Sequence, residues 1–178
     1  KQIYPEYKAN RKRKTIDLWV TKVRKSLLES GFAVTHDQFE ADDLIGTIAK
    51  QAEKENYQVF MVTPDKDFAQ LVSENIFMYK PARMGNDIEI WGIPEVLKKF
   101  EIENPLQVID FLGMMGDAAD NIPGLPGVGE VTAKKLLKEF GSMENLLANT
   151  DKLKGAMKEK IEANADKGIQ SKKLATIL

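Results

Sequence analysis

Three short stretches of the chain carry clustered carboxylates. Phe39-Glu40-Ala41-Asp42-Asp43 concentrates three acids ahead of an apolar helical pattern, and Thr63-Pro64-Asp65-Lys66-Asp67 sets two around a lysine. Gly116-Asp117-Ala118-Ala119-Asp120 sets two more on a loop. Each has an ordinary explanation. Acids in a first helical turn meet unpaired N–H groups and the positive end of the helix dipole. An Asp-x-Asp after a strand makes a turn with a cap, and Asp117 and Asp120 are turn formers. Together the clusters weigh more than they do singly. Seven carboxylates at the edges of one sheet repel each other and shift their own pKa values unless cations neutralise them. The chain has no cysteine and a single histidine, His36, which reads as a surface residue. Oxygen-only ligands select Mg²⁺ or Mn²⁺ over Zn²⁺. Two such ions about 4 Å apart activate water and stabilise a leaving oxygen in phosphodiester hydrolysis. The joint reading is a two-metal nuclease or phosphatase.

These acids need elements to hold them. Ile16, Trp19, Val20, Val23, Leu27 and Leu28 recur at helical spacing up to Gly31, and a short strand is expected around Phe32–Val34. Leu44, Ile45, Ile48, Ala49 and Ala52 predict one apolar stripe on a helix running to about Glu55. Gln58–Thr63 reads as a buried strand stopped by Pro64, and Phe68–Ser73 as a short helix. Strand–helix–strand order predicts an α/β fold with a mostly parallel sheet flanked by helices, whose strand ends are the usual place for a site. Glu40 can share a site with Asp42 and Asp43 only by standing just before the helix, because neighbours turn by about 100° each. Ile76–Lys80 and Ile88–Trp91 predict a hairpin. Pro94 and Pro105 each sit where a helix would open, the second helix running to about Met115. From Asp117 the chain turns Gly/Pro-punctuated and then helical, so the expected division is 1–115 and 116–178.

Charge is segregated along the chain. Residues 1–25 are net +7 and residues 36–67 net −5, within a total of −1. Such segregation can set a basic groove beside an acidic pocket. In the basic stretch Tyr4 and Tyr7 join Lys8, Arg11, Lys12, Arg13 and Lys14, offering stacking surfaces for bases and cations for phosphates. A solvated basic helix end is the competing explanation. Gly127-Val128-Gly129 leads into a run containing Thr132, Lys134 and Lys135. That pattern suits a tight turn whose amides hold a phosphate oxygen without reading a base. With the preceding Pro126 and the following Leu136 and Leu137 it resembles the helix–hairpin–helix DNA-binding element.

In order along the chain, Tyr7-Lys8-Ala9-Asn10-Arg11, the two acidic stretches at 39–43 and 63–67, and Gly116-Asp117-Ala118-Ala119-Asp120-Asn121-Ile122-Pro123-Gly124 resemble the 5′-nuclease family. That family includes flap endonucleases and the 5′→3′ exonuclease domains of bacterial DNA polymerases. The resemblance implies a PIN-like core, then a helical DNA-binding region with the hairpin. It implies a two-ion site formed with Glu40, Asp42, Asp43, Asp65, Asp67, Asp117 and Asp120, Asp43 belonging to its outer shell. It implies that Lys8 and Arg11 approach the scissile phosphate, and that Tyr7 lies near the unpaired 5′ strand. The hairpin would grip duplex backbone through Gly127, Val128, Gly129, Thr132, Lys134 and Lys135, and hold K⁺ on its carbonyls. Ala119 and Val131 stand where family members often have Ser and Lys. The family pattern also places a first strand and two further aspartates before Lys1, so the chain reads as a fragment.

The expected substrate is DNA with 5′ ends or flaps. No apolar run approaches the roughly 18 residues of a membrane span, and the absence of cysteine is compatible with the cytoplasm. A monomer is expected, with fusion to a polymerase in the full-length protein. Two other readings stay open: a non-catalytic duplex-DNA-binding module built on the hairpin, and a PIN-type ribonuclease.

Overall fold

The computed structural model describes residues 4, 6–7, 17–31, 33, 35–82 and 87–178. Lys8 and Arg11, the strand expected at 32–34 and most of the 83–87 loop fall on or across positions outside the described residues.

Helix α1 spans Asp17–Glu29 and leaves Val20, Val23 and Leu27 exposed. Helix α2, Ala41–Lys54, buries Asp43, Gly46 and Ala49. Its packed face differs from the expected stripe, since Ile45 and Ile48 are exposed. Gly46 explains the rotation. A Cβ there would stand 2.9 Å from the Ile177 side chain and 3.3 Å from that of Leu71, so the helix makes its close approach along the small-residue face.

Strands β1 (Val59–Val62), β2 (Ile76–Lys80) and β3 (Glu89–Trp91) form one sheet in that order. β1 pairs parallel with β2, Val59 opposite Ile76, while β2 and β3 run antiparallel, Met78 opposite Trp91. The sheet is therefore mixed, and the expected mostly parallel arrangement is corrected. The chain from β1 to β2 crosses over through a 3₁₀ turn, Lys66–Leu71, as a parallel pair requires. The short return from β2 permits only a hairpin. Ile76 and Met78 are fully buried on the covered face.

Helix α3, Ile93–Phe100, carries Pro94 in its first turn and buries Val96 and Phe100. Helix α4 begins at Gln107, two residues after Pro105, and ends at Met115. Pro105 heads the preceding turn instead, its carbonyl accepting the Val108 amide at 3.0 Å. Phe100 and Phe111 meet edge to face, with centroids 5.2 Å apart. Helices α5 (Glu130–Phe140), α6 (Met143–Ala148), α7 (Gly155–Glu162) and α8 (Ala165–Ala175) complete the molecule. α5 buries Ala133, Leu136, Leu137 and Phe140, a stripe at helical spacing. Full burial of each such large side chain contributes roughly 1.5–3 kcal/mol.

α8 lies against α4, where a Cβ on Gly113 would stand 2.8 Å from the Lys172 Cα. An ionic cluster around buried Asp110 closes this contact. The Asp110 Oδ1 accepts the Met143 amide at 2.8 Å and the Lys172 ammonium at 2.6 Å, and Lys172 also reaches Glu144 at 2.7 Å. Among the described residues no helix is long and apolar enough to cross a membrane.

Candidate metal centre

The acids stand on three differently built backbone turns. At the start of α2, Glu40 is extended (φ −77°, ψ 163°) and caps the helix. Its amide donates to the Asp43 Oδ2 at 3.1 Å, one half of a reciprocal capping box. Asp43 is 4% exposed, and its Oδ1 accepts the Leu178 amide at 3.0 Å. Each of its oxygens thus accepts a backbone amide. Glu40 and Asp42 are half-buried, and the Tyr7 hydroxyl lies 3.5 Å from the Glu40 Oε2. The Tyr7 turn is drawn close to the third cluster as well, where Asn121 Nδ2 donates to the Glu6 carbonyl at 2.7 Å.

Beyond β1, Thr63 Oγ1 accepts the Asp65 amide at 3.1 Å, and Asp65 Oδ1 accepts the Asp67 amide at the same distance. This cap aims Asp67 inward. Its Oδ1 is buried with no hydrogen-bond partner among the described residues. Burial pushes the Asp67 carboxyl up to about 7, with Asp65 adding to the rise, Lys66 opposing it, and Asp117 and Asp120 adding further.

The third cluster sits on a loop closed at its neck by an isolated antiparallel bridge, Asp117 to Ile122, with N–O distances of 2.9 and 2.8 Å. Gly116 (φ +72°) and Gly124 (φ +64°) face each other across that neck. A Cβ on Gly124 would stand 2.6 Å from the Gly116 nitrogen, so neither position admits a side chain. Asp117 Oδ1 accepts the amides of Ala119 (2.8 Å) and Asp120 (3.4 Å), and its Oδ2 pairs with the Lys66 ammonium at 3.2 Å. Burial works against ionisation of Asp117, but Lys66 and the two amides outweigh it and hold the carboxyl below its usual value.

Asp65, Asp67, Asp117 and Asp120 therefore share one electrostatic environment. Its donors are hard oxygens, one of them buried and unmatched, which is the chemistry a divalent cation satisfies. Among the described residues, however, no group of three or more acids converges closely enough to hold one ion. Lys66 takes part of the role, a cation between two acid-bearing turns. Its lysine was legible in the sequence, but not its partner.

Gly127 (φ +82°) and Gly129 are exposed, and Gly129 caps α5. Val128 is 5% exposed, so its side chain belongs to the core and only its backbone is available to a partner. Thr132 is half-buried and Lys135 exposed. Lys134 is engaged by Glu101 and Glu130, both at 3.1 Å, and those acids outweigh the effect of burial to hold its ammonium above its usual pKa. Lys134 thus has local carboxylate partners.

Sequence reasoning missed Gln70 and Ser171, both buried. Gln70 donates to the Asp67 carbonyl at 2.8 Å, and the Ser171 Oγ accepts the Gly124 amide at 2.9 Å. No local signal marks them, because Gln70 also bonds Ala175 and Ile177, and Ser171 bonds Gly124, all remote in sequence.

Two family models cover the chain nearly end to end. The 5′-3′ exonuclease N-terminal resolvase-like domain matches residues 1–101, and the 5′-3′ exonuclease C-terminal SAM fold matches residues 103–178. DNA polymerase I of Bacillus subtilis is 46% identical over 143 residues, covering 80% of this chain and 16% of the relative. DNA polymerase I of Mycobacterium tuberculosis is 38% identical over 181 residues, covering 99% of this chain and 20% of the relative. The chain thus spans about a fifth or less of the length of these curated relatives. The T5 5′-exonuclease, in a structure with bound divalent zinc ions, shares the fold with a TM-score of 0.80 at 21% identity, over 98% of this chain and 68% of that one. The catalytic core of Rad2 in complex with a DNA substrate shares it with a TM-score of 0.56 at 17% identity, over 92% of this chain and 56% of that one. The chain belongs to the 5′-3′ exonuclease and flap-endonuclease family and is closely related to the exonuclease domains of bacterial DNA polymerase I.

Proposed function

We propose that this chain is a structure-specific 5′ nuclease domain that hydrolyses DNA phosphodiesters at 5′ ends and flaps with two Mg²⁺ or Mn²⁺ ions. The observation that carries the reading is the buried, unmatched Asp67 oxygen among Asp65, Asp117 and Asp120 at the end of a parallel strand. Asp65, Asp67, Asp117 and Asp120 would hold divalent cations with Glu40 and Asp42 from the start of α2. Bound there, divalent cations supply an activated water at neutral pH and neutralise charge on the leaving oxygen.

The chain's own residues do the rest. The Asp65 cap keeps Asp67 turned inward, and the Gly116–Gly124 neck presents Asp117 and Asp120 from the facing side. Lys8 and Arg11 act by offsetting charge that develops on the scissile phosphate. Tyr7, held beside Glu40, offers a face to the unpaired strand. The domain division is a PIN-like core over 1–115 and a DNA-binding region over 116–178. In the second, a helix–hairpin–helix grips duplex backbone with the amides around Gly127–Gly129, assisted by Thr132 and Lys135, with K⁺ on its carbonyls. Lys134 contributes there only after leaving Glu101 and Glu130. In the full-length protein the domain precedes a polymerase, and it acts as a cytoplasmic monomer.

A labelled 5′-flap duplex incubated with the chain in Mg²⁺ tests this. The expected result is cutting near the junction, abolished by Asp67→Asn. One observation favours a second reading, a non-catalytic duplex-binding module: no three described acids close around one ion. A flap duplex bound tightly but left uncut at millimolar Mg²⁺ and Mn²⁺ would establish that module instead.

A further inference from the structure

The segment 171–178 reaches all three acid-bearing turns, one of them through Gln70, by buried and part-buried hydrogen bonds. Ser171, 0% exposed, accepts the Gly124 amide at the neck of the Asp117–Asp120 loop. Gln70, 3% exposed, donates from one Nε2 to the carbonyls of Asp67 (2.8 Å) and Ala175 (3.0 Å), while its Oε1 accepts the Ile177 amide at 2.9 Å. Asp43 accepts the Leu178 amide with one oxygen and the Glu40 amide with the other. Between these bonds the Ile177 side chain seats directly against Gly46 of α2. The bonded groups are 47, 105, 107 and 135 residues apart in sequence, so chain connectivity does not hold these turns together.

We infer that residues 171–178, with Gln70 and Asp43, form a positioning clamp that sets the mutual spacing of the three acidic clusters. The inference deepens the metal-site reading and rests on it only where cation binding is concerned. Clustered carboxylates push one another apart. A site that is to meet a cation on several sides must be held against that repulsion by its supporting shell, to within about 0.5 Å. The clamp is suited to this because, apart from Asp43, which already belongs to the first cluster, it uses backbone groups and two neutral side chains, Gln70 and Ser171. Gln70, Ser171 and Asp43 are positioning residues. Asp43 works as the link between the α2 capping box and the tail.

Gln70→Met keeps the side-chain length and removes all three hydrogen bonds. In the metal-free chain, amide hydrogen exchange is expected to quicken about tenfold at Ile177 and also at Glu40 and Gly124, whose bonds the substitution does not touch. Mn²⁺ affinity, read by electron paramagnetic resonance, is expected to fall roughly tenfold, the lower end for outer-shell partners. Ser171→Ala, which deletes one oxygen, is the milder second variant and should quicken exchange at Ile177 and Glu40. Val96→Ala, a core truncation on α3 that touches none of the clamp's hydrogen bonds, should leave these amides and the Mn²⁺ affinity at parental values while the chain stays folded. Acceleration confined to the substituted arm, or equal acceleration in Val96→Ala, would overturn the clamp. If the parent chain binds no Mn²⁺ at millimolar concentration while Gln70→Met still quickens exchange in all three arms, the clamp stands and the metal reading is overturned.

Discussion

Asp110 and Asp67 are both carboxylates drawn into the interior, and the molecule treats them in opposite ways. Asp110, 6% exposed, has a lysine and a backbone amide on the same oxygen, and that lysine is shared with Glu144. Asp67 is buried beside other acids with one oxygen left unmatched. Interior charge that the fold satisfies by itself is scaffold. Interior charge that the fold leaves wanting is a request for something from outside.

The largest expected effect breaks the scaffold member. Asp110→Ala orphans the buried Met143 amide and leaves the half-buried Lys172 ammonium with Glu144 as its carboxylate partner, and should cost about 3 kcal/mol in chemical denaturation. A loss below about 1 kcal/mol would show that Asp110 is no keystone. Next is Gly124→Ala, which forces a side chain onto a left-handed position against the Gly116 backbone. It should cost about 2–3 kcal/mol by the same measurement and lower cation affinity together with stability, because the neck serves both.

Asp67→Asn should act with the opposite sign. The folded Asp67 carboxyl titrates near 7, above its unfolded value near 4, so its ionisation penalises the folded state fully above pH 7 and not below pH 4. Removing it should stabilise the metal-free chain by about 1–2 kcal/mol at pH 8, discounted for partial exposure, with no gain at pH 4. Calorimetry at the two pH values, with and without Mn²⁺, reads this. Equal effects at both would remove the distinction from Asp110.

The smallest effect refines the scaffold side. Lys172 holds the Glu144 carboxyl below its usual value against the effect of burial. That stability is present above the ordinary carboxylate pKa and is lost as pH falls through the lowered value. The Lys172 ammonium is raised by Asp110 and Glu144, also against burial, so its share is present below its ordinary pKa and lost only as pH rises through the raised one. Glu144→Gln should therefore cost about 0.5 kcal/mol at pH 7, since the Glu144 side chain is 59% exposed. The cost should vanish at pH 3.

Much of this was legible along the chain. α2, β1, the β2–β3 hairpin and α5 follow from local spacing and breakers, and the three acidic clusters were visible as clusters. What resisted reading depends on separation. Nothing near Gln70 announces the Ala175 carbonyl, and nothing near Asp43 announces the Leu178 amide. The packed face of α2 was misjudged because Gly46 carries no hydrophobicity, yet its missing side chain decides the approach. Nothing near Lys134 announces the Glu101 carboxylate, 33 residues away, as its partner.

Lys66 gives the pocket a character of its own. Its ammonium sits 3.2 Å from the Asp117 Oδ2, so an ion held at that oxygen would have to displace a tethered tenant instead of filling open water. Loading would then be a competition with a local opponent that stays tethered when displaced, and its set point would move with the surrounding cation level.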